Sequence, residues 1–200
     1  MADEVSSCEK AIVLLTSLIA EARARGDGEA STAALATASV DAQPSVRTVS
    51  VVSITSSGLI LFAHTETGKG QQMQYNPRAA LCFHWPKLHY QVIVEGEVAL
   101  LSEEESDAQW SNLPRDYSLG RWASDQTTHA DARPSALKDK ARAYRQQFDW
   151  TLVPRAPFWR AFEIRPGRID FWPSGGQRLR PRECYLKASD GSWTVSSENP

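Results

Sequence analysis

From Arg47 to His89 the chain alternates short apolar runs with tight breaks, one of which holds a short helix. RTVSVVSI (47–54) reads as a strand, Ser57-Gly58 as a turn, LILFAH (59–64) as a second strand, and residues 68–75 as a short polar helix. Asn76-Pro77 stops that helix, because proline cannot donate to its hydrogen-bond ladder. Over the whole chain, short strands outnumber helices and do not alternate with them. The arrangement over 47–89 can hold a phosphate beside a flat ring. Arg47 at a strand start and Lys69 in a Thr-Gly-rich turn supply cations, and backbone N–H groups after Gly68 add partial positive charge. The alternative for both cations is a solvated surface.

The rest of the chain extends this pattern. Residues 8–25 read as a helix with Ile12, Leu15, Leu18 and Ile19 on one stripe, ended by Gly26-Asp27-Gly28. Residues 32–39 and 46–54 form a hairpin through Asp41-Ala42-Gln43-Pro44, and strands follow at 79–85 and 90–101. Ser102 caps a helix whose first turn holds Glu103, Glu104 and Glu105, an acidic run explained by the helix dipole rather than by a metal. Residues 116–127 read as a polar connector with a buried Trp122. Pro134 opens a second long helix, with Lys138, Lys140, Arg142 and Arg145 on a solvated face. Strands at 158–165, 168–173, 182–188 and 192–196 finish the chain. The expected class is mostly β with added helices: an antiparallel barrel over 31–200 as one domain, preceded by a helix and linker over 1–30.

Several functions are excluded. A net charge of −2 gives no footprint for nucleic acid. The three cysteines, Cys8, Cys82 and Cys184, are scattered, which suits reduced thiols rather than a disulfide framework or a zinc site. Cys82 is expected to be buried in its strand. No apolar run reaches membrane-spanning length and no signal peptide is evident, so a cytoplasmic protein is expected. His64, His84, His89 and His129 do not cluster at metal spacing. There is no GxGxxG, Walker loop, HExxH or GxSxG.

ALATASVDAQPSVRTVSV, the GKG turn, YNPRAALCFHWPKLHYQVIVEGEV, LGRWASDQ and FWRAFEIRPGRIDFWPSGGQRLRPRECY together resemble the pyridoxamine 5′-phosphate oxidase family, over about residues 31–200. The resemblance implies an FMN-binding split β-barrel, homodimeric, with two sites each built from both chains. It implies a flavin that carries the chemistry, with no protein residue as catalyst at the reacting carbon, and O₂ as the final acceptor. By position it assigns Arg47, Thr48, Val49 and Ser50 to the strand lining the flavin, and Arg47 with Lys69 to the phosphate. Phe62 and Ala63 match the next flavin-contacting pair. Thr67 and Gly68 stand where the family has Ser-Arg. Gln91 matches the glutamine near the ring, Gln126 and Thr127 the pair from the partner subunit, and Trp172 and Arg182 the C-terminal contacts.

The substrate positions depart from the family pattern. Val52 replaces a lysine, Gln109 and Leu113 replace a tyrosine and an arginine, Tyr117 replaces a serine, and Arg178-Leu179-Arg180 keeps the arginine but not the histidine. Losing charge-assisted contacts worth about 1.5–3 kcal/mol each weakens a phosphorylated vitamer by orders of magnitude. The chain resembles more the phenazine-biosynthesis branch of flavin oxidases, in Ala63-His64, Gly68-Lys69-Gly70, the Gly-Gln-Arg-Leu run and DGSWTV (190–195). That branch implies a reduced, flat, anionic tricycle, with Arg178 and Arg180 on its carboxylates and Trp110 and Tyr117 walling the pocket. Pyridoxamine or pyridoxine 5′-phosphate oxidation stays open, as does a non-catalytic flavin- or haem-binding barrel.

Overall fold

The computed structural model describes residues 7–124, 134–149, 151–173 and 181–198. The elements are α1 (Ser7–Ala24), β1 (Thr32–Ala38), β2 (Pro44–Ile54), β3 (Leu59–His64), α2 (Gly68–Tyr75), β4 (Arg78–Trp85), β5 (Tyr90–Leu100), α3 (Glu103–Ser111), α4 (Arg115–Ala123), α5 (Pro134–Phe148), β6 (Trp159–Pro173), β7 (Arg182–Lys187) and β8 (Trp193–Glu198). The strand order is β3-β2-β1-β4-β5-β6-β7-β8. Because β3 also pairs with β6, the first six strands of that order close into an antiparallel barrel. Closure leaves those strands without open edges, while β7 and β8 continue from β6 as an antiparallel extension.

Two stretches differ from expectation. Residues 115–123 are helical, not a connector. Gly120 and the polar composition hide the helix in the sequence, and packing forms it: Leu119 is buried with Phe148 and Val153, flanked by Trp122 and Tyr144. The second difference is that β6 is one strand across Pro166-Gly167, where two separate strands were expected. Gly96 on β5 explains it. A Cβ at Gly96 would lie 2.1 Å from the Arg165 carbonyl oxygen, so only glycine lets the two backbones pass this closely. Gly96→Ala is therefore expected to cost about 2–3 kcal/mol, lowering the thermal midpoint by roughly 5–10 °C in a calorimetric scan.

Contacts divide the chain into two compact units. One comprises Met1–Leu61, Gln72–Ala99 and Glu163–Pro200. Its core takes every second residue of β4 (Leu81, Phe83, Trp85) with Leu35, Val92, Val94, Ile169 and Phe171. Trp85 Nε1 donates to the Ala30 carbonyl at 2.9 Å, so the large ring is buried without an unpaired donor. The α1 stripe is buried as its spacing predicts, with Ala11 and Ala22 added. Cys82 is half-buried rather than buried.

The other unit comprises Phe62–Gln71 and Leu100–Phe162. Here the acidic run has two jobs. Ser102 and Glu105 form a reciprocal capping box at the start of α3. Glu103 and Asp107 instead pair with Arg155, whose side chain is 8% exposed and which also donates to the Trp159 carbonyl at 2.7 Å. Arg160 adds a 2.5 Å bond to Glu103. Among the described residues no helix is long and apolar enough to cross a membrane.

Candidate functional site

Arg47 is placed by the β1–β2 register, directly opposite Leu35. Its Nη1 donates to the Leu35 carbonyl at 3.2 Å and to Thr37 Oγ1 at 2.5 Å, and Nη2 donates to Gln72 Oε1 at 3.1 Å. The Thr37 hydroxyl donates in turn to Gln72 Oε1 at 2.5 Å, and Gln72 Nε2 donates to Ser45 Oγ at 3.1 Å. The guanidinium is thus held half-buried in a fixed orientation, and burial pulls its pKa below the ordinary arginine value. Thr37 and Gln72 were not among the residues anticipated. Neither carries a motif, and only the strand register and the placement of α2 bring them to Arg47. Beyond Arg47 along β2, Thr48 is exposed, Val49 buried and Ser50 half-buried. Val52 sits where the pairing of β2 with β3 shifts register. Gln91 is half-buried and faces His84 across the β4–β5 pair.

In the second unit, Phe62, Ala63 and His64 are buried at the end of β3. His64 is a packed histidine. Its Nδ1 accepts from the Glu66 N–H at 3.3 Å, and its ring stacks on Phe158 at 5.2 Å. Thr67 Oγ1 donates to the His64 carbonyl at 2.7 Å, so this hydroxyl closes the turn into α2. Gly70 allows that turn, since a Cβ there would lie 2.2 Å from the His64 carbonyl oxygen. A Cβ at Gly68, by contrast, would meet nothing within 4 Å, so the helix start is open. Lys69 beside it is half-buried.

Trp172 and Arg182, the residues expected at the C-terminal side of the flavin, come together within the first unit. The Arg182 guanidinium lies over the Trp172 ring, 5.0 Å from its centroid, and donates to Asp170 Oδ2 at 2.6 Å. Arg168 Nε donates to the same carboxylate at 3.0 Å, and Asp170 is 3% exposed. Burial by itself would raise the Asp170 pKa, but the hydrogen bonds of Arg168, Cys184 and Arg182 outweigh it and hold the carboxyl below its ordinary value. Asp170 was missed in the sequence. Its only trace there is the Arg168-x-Asp170 alternation, which places both side chains on one face of a strand.

Gln126, Thr127, Arg178, Arg180 and His129 lie outside the described residues. Trp110 is 2% exposed, donates from Nε1 to the Val153 carbonyl at 2.9 Å, and meets Phe62 edge-on at 5.3 Å. It backs Phe62 instead of presenting a free face. Tyr117 is half-buried beneath Arg121, whose guanidinium carbon is 3.8 Å from the tyrosine ring centroid. Arg121 was overlooked because the connector reading of this stretch gave its side chain no direction.

Taken singly, these groups have the chemistry a flavin nucleotide uses: a guanidinium held in one orientation, a glycine-bounded helix start, and an arginine laid on an indole. The closed antiparallel barrel is of the flavin-binding class. The comparisons give the family. The family model for pyridoxamine 5′-phosphate oxidase matches residues 20–148. A pyridoxine/pyridoxamine 5′-phosphate oxidase of Anaeromyxobacter dehalogenans is 41% identical over 182 residues, covering 91% of each chain. Another of that name, from Maricaulis maris, is 36% identical over the whole of this chain and 90% of its own. The chain belongs to the pyridoxamine 5′-phosphate oxidase family. Among solved structures, PhzG from Burkholderia lata 383, in complex with tetrahydrophenazine-1-carboxylic acid, superposes with a TM-score of 0.83 at 25% identity, covering 94% of this chain and 92% of that one. An FMN-binding protein of Nostoc punctiforme shares the fold, with a TM-score of 0.75 at 19% identity over 92% of this chain and 96% of its own. Family membership makes the chain an oxidoreductase with FMN as its cofactor.

Proposed function

We propose that this protein oxidises a reduced, planar nitrogen heterocycle bearing a carboxylate, of the dihydro- or tetrahydrophenazine type, with O₂ as the acceptor. The observation that carries the reading is the character of the helix α4 face, where Tyr117 and Arg121 offer an aromatic ring capped by a single cation. This face suits a flat anion better than a small phosphorylated ring that needs several charged donors. The tetrahydrophenazine carboxylate bound in the PhzG complex supports the same choice. FMN held here would supply the chemistry, a two-electron, two-proton oxidation of the substrate balanced by reduction of O₂ to H₂O₂. The chain's own residues bind and orient. Arg47 and Lys69 serve the phosphate, Val49, Phe62, Ala63 and Gln91 line the ring system, and Arg182 with Trp172 closes the C-terminal contact. Gln126 and Thr127 from a partner copy, and Arg178 and Arg180 toward substrate, complete the proposal, which includes a homodimer.

A second reading, oxidation of pyridoxine or pyridoxamine 5′-phosphate, is favoured by the names of the relatives that share 36–41% identity with this chain. Anaerobic mixing of the FMN-loaded protein with tetrahydrophenazine-1-carboxylic acid, and separately with pyridoxine 5′-phosphate, decides between them. Loss of the flavin absorbance with the tricycle alone is the expected result. Loss with the vitamer alone replaces the first reading by the second. Bleaching by neither would leave the barrel as a flavin carrier for these two ligands.

A further inference from the structure

One cation in the second unit has surroundings that packing alone does not account for. Arg121, near the end of α4, is enclosed by three aromatic rings: its guanidinium carbon lies 3.8 Å from the Tyr117 centroid, 5.1 Å from Trp159 and 5.8 Å from Phe62. Its Nε is buried and has no hydrogen-bond partner. Ring faces meet the charge, but they do not accept its in-plane N–H donors, and a desolvated donor left unpaired is costly. Burial draws the Arg121 pKa down, with the charge interaction and hydrogen bond to Tyr117 opposing it, while Nε stays unpaired. The arginine borders a pocket of about 190 Å³ lined by His64, Arg121, Trp122, Tyr144, Phe158 and Trp159. Apart from that guanidinium, the pocket is walled chiefly by flat rings.

We infer that Arg121 is a substrate-binding residue, presenting its guanidinium edge to the carboxylate of a planar aromatic ligand whose ring enters this aromatic pocket. The Tyr117 ring supports the guanidinium from one side, 3.8 Å from its central carbon. A carboxylate on the guanidinium edge pairs two parallel N–H donors and relieves the unpaired Nε. The ring of the ligand meets Trp159 and Phe158, where offset aromatic contacts add to burial. Tyr117 thereby acts through Arg121, as the surface that supports it. The inference rests on the reading of the site as one for a flat anion, and its test uses binding alone.

The ligands are phenazine-1-carboxylate, which is already oxidised and cannot reduce the flavin, its uncharged carboxamide, and pyridoxal 5′-phosphate. Binding to the FMN-loaded protein is followed by quenching of tryptophan fluorescence. The unaltered protein should favour the carboxylate over the carboxamide by at least about tenfold, as loss of one charge-assisted contact predicts. Arg121→Gln should abolish that preference by weakening the carboxylate alone, and Arg121→Lys should restore part of it while keeping a cation in the same packing. If Arg121→Gln keeps the preference, or the unaltered protein shows none, the guanidinium is only a packed stack and the inference fails. If the unaltered protein instead prefers pyridoxal 5′-phosphate and Arg121→Gln weakens it, Arg121 still reads the anion, and the phenazine reading fails. Flavin bleaching, measured separately, then reports on the oxidase reading without bearing on Arg121.

Discussion

Replacing Arg47 by alanine is expected to yield protein that loses FMN on purification and binds it at least about a hundredfold more weakly in titration. Two charge-assisted bonds to a phosphate, each worth about 1.5–3 kcal/mol, convert to that loss or more. The pre-organisation adds to it. Leu35, Thr37 and Gln72 hold the guanidinium in one orientation, so an unaltered chain spends little freedom on ordering it when the phosphate arrives. Alanine also leaves Thr37, which is 4% exposed, without one of its partners. Arg47→Lys keeps the charge but cannot bridge Thr37 and Gln72 with two nitrogens, and should fall between. Quenching of free flavin fluorescence by apoprotein measures all three. Retention of FMN by Arg47→Ala within threefold of the unaltered protein would remove Arg47 from the phosphate site.

The second large effect belongs to Asp170. Asp170→Ala should destabilise the fold by about 3–5 kcal/mol in urea unfolding, because it removes the buried carboxylate that Arg168 and Arg182 share. Asp170→Asn keeps an acceptor and should cost less. The pH dependence has a definite sign. The folded carboxyl lies below its ordinary value, so its contribution is complete above the unfolded pKa of about 4 and disappears as the pH falls through the lower folded one. The stability difference between the unaltered protein and Asp170→Asn should therefore shrink on acidification below about pH 4. A difference that stayed constant through that window would show that charge on Asp170 is not what stabilises it. Because Arg182 loses its anchor, its position over Trp172 should loosen, and FMN affinity should fall together with stability.

Much of the barrel can be read from local signals. Gly58, Asn76-Pro77 and Ser102 end or start elements through backbone chemistry that acts within a few residues, and the elements they bound appear where expected. The alternation of Leu81, Phe83 and Trp85 orients β4 without reference to anything distant. Arg47 and the Gly68-Lys69-Gly70 turn are visible for the same reason, since a strand start and a glycine-bounded helix start are local features. Helix α4 was not legible, because Gly120 lowers its intrinsic preference and only the packing of Leu119 and Trp122 on Phe148 restores it. Nor was the passage of β6 through Pro166-Gly167, which depends on a missing side chain at Gly96, seventy residues earlier.

By itself the sequence determined the order of the elements apart from helix α4 and the unbroken course of β6, the cations and glycines available for a flavin phosphate, and the family, because each is written in neighbouring residues. Tertiary structure alone decided that Thr37 and Gln72 orient Arg47, that Asp170 anchors Arg182, and that Arg121 stands among three rings. The physical reason is that hydrogen bonds and ring stacks act over a few ångströms in space. Strand register and barrel closure bring such partners together across separations that no local pattern in the chain records.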